Sequence, residues 1–214
     1  MKHLNSIYRD GFAVSSIPKH IADAFLNAAK ADDFQPDKPG SPDVVSWEED
    51  DPSRSLSVPL DYLGPMELIG LGKETEHIRA HLGDWSRTNV MLQRGKRGDS
   101  MGWHHDSYDP MQMVVIIYLS DEIWTPEDGG QLLLGEGDID DKGALVDPSK
   151  VVVKEAVSPN HGTAVWLINT NPRWVHSVSE ILCDKARYTL IGQFGYRENV
   201  MRAYPRKRYG DDWR

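Results

Sequence analysis

A change of period near Asn89 constrains this chain more than any other feature. Upstream, the segment PKHIADAFLNAAKA behind Pro18 puts Ile21, Ala24, Phe25 and Ala28 at helical spacing, and KETEHIRAHLGDW predicts a second helix over about 74–82. Downstream come eight strand-like segments: NVMLQR, SMGWHHD, QMVVIIYLS, GGQLLLG, VVVKEAV, TAVWLIN, RWVHSVS and RYTLIGQFGY. Turn signals such as Arg-Gly, Asp-Gly-Gly, Pro-Asn-His-Gly and Asn-Pro separate them. Eight strands between Asn89 and Tyr196 leave no room for crossover helices, so the sheets must be antiparallel. The expected fold is therefore mainly β with helical support, a jelly-roll double sheet.

The length allows a single domain over 1–214. Within it the expected parts are helical support and an acidic loop over 1–88, the jelly-roll core over 89–196 and a basic C-terminal tail over 197–214. DDFQPDKPGSPDVVSWEEDDPSRS reads as a long loop, and GEGDIDDKGALVDPSK, between the fourth and fifth strands, as an exposed one.

Charge and composition exclude several function classes. The net charge of −9 lacks the basic footprint of a nucleic-acid binder. Six basic and three acidic residues between Arg197 and Arg214 give the tail a local +3, which could touch a phosphate or a partner, or be a solvated terminus. No apolar run approaches the ~18 residues that signal a membrane span. MKHLNSIYRDGFAV has no apolar signal core, and the single cysteine, Cys183, permits no internal disulfide, so a cytoplasmic location is expected. No dinucleotide fingerprint, phosphate loop or nucleophile elbow occurs.

A metal site in such a chain must use nitrogen and oxygen donors. On a strand, residues i and i+2 share a face, so His104 and Asp106 point together and His105 points away. An imidazole beside a carboxylate supplies two ligands of a two-histidine, one-carboxylate set, and His176 on a later strand can supply the third. Such a triad leaves coordination positions open for a cosubstrate and for oxygen. Further on, Arg187 and Thr189 share a face, and a buried arginine calls for an acid partner, which a bound diacid would supply. His77 and His81 stand four apart on the second helix but lack the His-Glu-x-x-His glutamate, and they read as surface or packing residues.

Four ordered pieces, GDSMGWHHDSYD, VVIIYLSDEIWTPEDGGQLLL, VSPNHGTAVWLINTNPRWVHSV and ARYTLIGQF, resemble the iron(II) and 2-oxoglutarate-dependent oxygenases, in the style of the prolyl-4-hydroxylase-like branch. The resemblance spans about Asn89 to Tyr196 and implies a double-stranded β-helix, or cupin-like, core. It implies that His104, Asp106 and His176 bind Fe(2+), and that Arg187 holds the distal carboxylate of 2-oxoglutarate with help from Thr189 and Tyr118. The reaction implied is hydroxylation of an unactivated C–H, with dioxygen consumed and succinate and carbon dioxide released. The intact Asp106 favours hydroxylation over halogenation, while desaturation, ring closure and demethylation stay open.

Two positions depart from the family pattern. Gln93 and Arg94 stand where the family often has a tyrosine, and Gln193 stands where it often has a tryptophan. A more polar pocket follows, with Gln93, Arg94, Trp174 and Gln193 as candidate substrate contacts. Trp174 enters this set because it shares the face of His176. The expected substrate is a small polar molecule, such as an amino acid, an amine or a natural-product intermediate. A peptidyl, prolyl-type substrate and a non-catalytic metal- or ligand-binding barrel remain as alternatives. The acidic segments 31–51 and 135–147 could flank the mouth and attract a cationic group, or be solvated loops. Each remaining site residue has a plain reading too: core packing for Tyr118, strand formation for Thr189, an internal acid partner for Arg187.

Overall fold

The run of β-branched residues before Tyr118 is the spine of the molecule. A computed structural model describes residues 9–35, 39–46, 85–106, 111–140, 144–169 and 171–196, with the backbone alone at 85–90, 111, 112 and 194–196. The second helix expected over 74–82, with His77 and His81, and the basic tail from Arg197 to Arg214 lie outside the described residues.

The elements run β1 (Phe12–Ser16), α1 (Lys19–Ala31), β2 (Asp43–Ser46), β3 (Trp85–Gly95), β4 (Met101–His104), β5 (Met111–Leu119), β6 (Leu132–Glu136), β7 (Val152–Val157), β8 (Thr163–Ile168), β9 (Trp174–Val178) and β10 (Arg187–Tyr196). They form a six-stranded sheet in the order β1-β8-β5-β10-β3-β2 and a four-stranded sheet in the order β4-β9-β6-β7. Every pairing is antiparallel. The double-stranded β-helix expectation holds, and all eight expected strands form.

β5 lies inside the larger sheet and is buried on both faces, which is why its sequence is a nearly unbroken apolar run rather than an alternating one. Its outward residues Met113, Val115, Ile117 and Leu119 join the cluster that includes Ile21, Ala22, Phe25, Leu26 and Ala29 of α1. Its inward residues Val114, Ile116 and Tyr118 share a second cluster with Leu132, Leu134 and Val157 of the smaller sheet. Each large aliphatic or aromatic side chain so buried contributes about 1.5–3 kcal/mol. The helix thus backs the large sheet, and the space between the two sheets is left for a site.

Three details differ from the sequence reading. The strands β1 and β2 add to the expected eight, and β2 lies inside the segment read as loop; runs of five and four residues carry too little period to register. The buried stripe of α1 is Ile21, Ala22, Phe25, Leu26 and Ala29, rotated from the expected one so that Ala24 and Ala28 sit at its edge. β4 stops at His104, so strand alternation does not govern His105 and Asp106. Among the described residues no helix is long and apolar enough to cross a membrane.

Candidate active site

Pairing of β4 with β9 sets His104 directly opposite His176. The two rings lie 4.2 Å apart between centroids and are tilted by 56°. Past the end of β4 the chain turns Asp106 between them, held there by the Asn169 side-chain amide donating to the Asp106 backbone carbonyl at 3.0 Å. Asp106 Oδ1 stands 3.7 Å from His104 Nε2, and Asp106 Oδ2 stands 3.5 Å from His176 Nε2. One ligand atom from each of the three residues lies within 4.8 Å of the others.

These contacts are too long for good hydrogen bonds, so the three groups face a common point rather than each other. His104 Nδ1 lies 2.8 Å from the Gly102 carbonyl oxygen. Donation from Nδ1 there leaves Nε2 as the lone-pair nitrogen, aimed at the same point. Burial pushes the His176 imidazole well below the usual histidine range, with His104 and His105 adding to the effect, so this ring stays neutral and its lone pair free. Burial raises the Asp106 carboxyl, opposed by His104 and His105. A carboxylate between these two imidazoles lacks a cation, and this donor set fits a divalent first-row metal with open positions.

The triad borders a cavity of about 440 Å3 between the sheets. Along β10 its wall is Arg187, Thr189, Ile191 and Gln193. Register gives each level its neighbours: Thr189 lies opposite Gln93 and Tyr118, Ile191 opposite Met91 and Ile116, and Gln193 opposite Val114. On the facing sheet Val178 pairs with Leu132 and Met101, and His176 with Leu134 and His104. Ile181, just beyond Val178, crowds Gly95, the strand partner of Arg187. At the opposite end Trp174 lies on Gly11, next to Phe12, which pairs with Leu167, itself the partner of Val114. The cavity therefore runs from Arg187 at one end, past the triad, to Gln193 about 20 Å along β10.

Arg187 is 2% exposed. Its Nη2 donates to the Tyr118 hydroxyl at 3.3 Å, and its guanidinium carbon sits 4.9 Å from the centre of that ring. Burial raises the Tyr118 hydroxyl, partly offset by Arg187. Among the described residues Arg187 has no carboxylate partner, and both Arg187 Nε and Thr189 Oγ1 are buried with no hydrogen-bond partner. Buried polar groups are normally satisfied, so two orphaned donors at one end of a cavity fit an anionic group of a bound molecule.

The structure brings together His104, Asp106, His176, Arg187, Thr189, Gln93 and Gln193 on one cavity, with Tyr118 behind Arg187. It corrects two substrate candidates. Arg94 neighbours Gln93 on an extended strand and so points to the opposite face, where Nη2 donates to Asp43 Oδ2 at 2.9 Å and the guanidinium covers Phe34. Trp174 shares the face of His176 but sits one level too far along, its ring packed on Gly11, outside this cavity. His105, expected to face away, lines the cavity because β4 has already ended. Gln93 sits level with Thr189, nearer Arg187 than the far end. Met91 went unnoticed in the sequence, although alternation from Gln93 points to it.

Residues 90–195 match the family described as the 2OG-Fe(II) oxygenase superfamily. No curated protein matches the sequence. Among solved structures, the chain is similar to a Pseudomonas putida prolyl-4-hydroxylase, with 17% identity over 92% of this chain and 98% of that one and a TM-score of 0.65. It is also similar to a Trichoplax adhaerens prolyl hydroxylase in complex with a hypoxia inducible factor peptide fragment, with 16% identity over 96% and 91% and a TM-score of 0.67. A third is HygX from Streptomyces hygroscopicus with nickel and 2-oxoglutarate bound, with 14% identity over 92% and 87% and a TM-score of 0.61. At these identities the likeness is one of fold.

Proposed function

Since the chain belongs to the 2OG-Fe(II) oxygenase superfamily, enzymes that use iron(II), 2-oxoglutarate and dioxygen, we propose that it hydroxylates an unactivated C–H of a small polar molecule, with His104, Asp106 and His176 as the iron ligands. The observation that carries this reading is the pairing of the convergent triad with the orphaned donors of Arg187 and Thr189 in one cavity. Either cluster alone has a structural explanation. Together, at a strand-register spacing along one cavity, they match a metal and a diacid cosubstrate.

Iron(II) held by His104, Asp106 and His176 would supply the oxidation, in which 2-oxoglutarate and dioxygen give succinate and carbon dioxide as a substrate C–H becomes C–OH. The chain supplies position, charge and dryness. Gly102 orients His104, and burial keeps His176 neutral, so the His176 ring offers its lone pair without first losing a proton. Arg187 offers its buried fork to the distal carboxylate of 2-oxoglutarate, Tyr118 holds the fork flat, and Thr189 and Gln93 reach the same level from adjoining strands. The aliphatic wall of Ile116, Leu132, Val178 and Ile191 excludes water around the reacting carbon. Gln193, at the far end, meets the primary substrate with an amide that both donates and accepts.

A cationic substrate finds little support inside this cavity, because Asp106 is its only carboxylate among the described residues. A peptidyl substrate is the second reading, favoured by the two prolyl hydroxylases among the similar folds; HygX, also solved with hygromycin B bound, stands on the small-molecule side. The test is succinate release by the full chain with iron(II), run against free amino acids, amines and proline peptides. Iron-dependent release that rises with one class and vanishes in His104→Ala supports the reading. Full activity in His104→Ala would overturn the ligand assignment, and stimulation by proline peptides alone would replace the small-molecule substrate with the peptidyl one.

A further inference from the structure

Arg187 is held by more than Tyr118. Its stem runs along a wall made by two loops, the segment 123–130 that follows β5 and the segment 180–186 that precedes β10. A Cβ placed on Gly130 would stand 3.3 Å from Arg187 Cδ, 3.1 Å from the Trp124 ring and 3.1 Å from Ile181 Cγ1. Gly130 has a φ of 64°, a conformation that side chains other than glycine rarely adopt. The stem, the indole and Ile181 thus converge on one glycine, whose missing side chain lets the stem lie against the wall.

The two loops are joined by a small set of bonds centred on Asp128. Its backbone carbonyl accepts the Leu182 N–H at 2.8 Å, and the neighbouring Gly130 N–H donates to the Glu180 carbonyl at 3.1 Å. Asp128 Oδ2 accepts the Thr125 N–H at 2.8 Å and Lys185 Nζ at 2.7 Å. Lys185 also donates to the Ile123 carbonyl at 2.9 Å and lies 5.8 Å from the centre of the Trp124 ring. Trp124 is 3% exposed and is pinned by Nε1 donating to Ser120 Oγ and by its N–H donating to Asn160 Oδ1. The Lys185 ammonium holds the Asp128 carboxyl down to about 2, so the pair is charged throughout the working range.

Lys185 lies two residues before Arg187 and touches neither the triad nor the cavity. A lysine and an aspartate on neighbouring loops make an ordinary surface pair of little energetic weight. This pair, however, closes the two loops over the stem of the one arginine aimed at the cosubstrate. We propose that the Lys185–Asp128 pair is a latch that positions Arg187, so that affinity for the diacid cosubstrate depends on it while metal binding does not. Lys185 and Asp128 are positioning residues that act through the Gly130–Trp124 wall. The inference rests on the assignment of Arg187 to the distal carboxylate of 2-oxoglutarate.

The test is calorimetric titration of 2-oxoglutarate into the full chain loaded with nickel, a metal that reports binding without turnover. Lys185→Met removes the latch and leaves Asp128 free to cap its own turn. It is expected to weaken 2-oxoglutarate binding about three- to tenfold, in the lower part of the range for residues coupled through a shared neighbour, with nickel affinity intact. Lys185→Arg should restore binding. In turnover assays the KM for 2-oxoglutarate should rise while kcat at saturation is retained. If Lys185→Met folds poorly, Gly130→Ala probes the same wall from the other side and should weaken 2-oxoglutarate without weakening nickel. Arg187→Met serves as the reference. Weakening in Arg187→Met but not in Lys185→Met or Gly130→Ala overturns the latch and leaves the Arg187 assignment standing. No weakening in Arg187→Met overturns that assignment and the latch with it. Parallel loss of nickel affinity in Lys185→Met also overturns the latch, because the pair would then serve only the fold.

Discussion

Removing the charge of Arg187 while keeping its stem separates binding from stability. Arg187→Met leaves an unbranched chain along Gly130 and Trp124 and deletes only the guanidinium. On the proposed assignment that group would make charge-assisted hydrogen bonds to the cosubstrate worth about 1.5–3 kcal/mol, so the KM for 2-oxoglutarate should rise about 10- to 150-fold. The free protein behaves differently. Arg187 is 2% exposed, has an unpartnered Nε, and has no carboxylate beside it among the described residues. A buried charge of this kind costs stability, and an apolar side chain of similar length removes that cost. Against this, the Tyr118 hydroxyl loses a donor at 3.3 Å, worth about 1 kcal/mol. The two nearly cancel, so the melting midpoint without cosubstrate should move by no more than about 2–4 °C in either direction. Steady-state kinetics over a 2-oxoglutarate series and thermal melts of the metal-free protein measure the two quantities. A large fall in midpoint with an unchanged KM would refute the argument, because Arg187 would then be a structural ion-pair partner.

Asp106→Asn should abolish iron binding yet raise the melting midpoint of the metal-free protein at pH 8, because burial penalises the ionised carboxylate that asparagine lacks; a lower midpoint would contradict this. The sign for His176 is opposite. Its folded value lies well below 6.5, so the unfolded chain takes up a proton first, and metal-free wild type should lose stability as pH falls below that value, as melts across pH 5–8 would show. Arg94→Ala should leave the KM for 2-oxoglutarate unchanged and cost about 1–3 kcal/mol by denaturant titration, since Asp43, 4% exposed, would keep only Lys96. Gln93→Leu should raise the KM for 2-oxoglutarate, whereas Gln193→Leu should leave it alone and change the stimulation by primary substrate; the reverse pattern would invert the cavity's polarity.

The triad was legible because metal chemistry restricts residue type, and because His104 and His176 lie on strands that the period already marked. The expectation for Asp106 was right in effect but for a different reason: it reaches the triad by a turn beyond the strand end, held by Asn169. That same turn brings His105 to the cavity, which strand alternation denied. Arg94 and Trp174 show two further ways in which one-dimensional reading fails. Gln93 and Arg94 cannot both face inward, and the sequence carries no mark of which does; Asp43 and Phe34, some fifty residues away, hold Arg94 on the outside. Trp174 has the right face but the wrong depth, and depth depends on the Gly11 approach from the N-terminal strand, itself too short to be read.

Depth is also what separates the two ends of the site. Alternation assigns Arg187, Thr189, Ile191 and Gln193 to one face but treats them as equivalent. Only the cross-strand registers order them against the triad: Thr189 beside Tyr118 and Gln93, Gln193 beside Val114. Charge then gives the ends different tasks. The Arg187 end holds a buried guanidinium whose natural complement is a carboxylate, and on the proposed assignment that carboxylate belongs to 2-oxoglutarate. The far end offers a neutral amide and aliphatic walls, which accommodate many substrates and exclude few. The cosubstrate could be named because the resemblance over about Asn89 to Tyr196 implies it, and the buried charge of Arg187 agrees with that implication. Among the described residues the far end carries no comparable charge, so fit there depends more on shape, which a sequence encodes least directly.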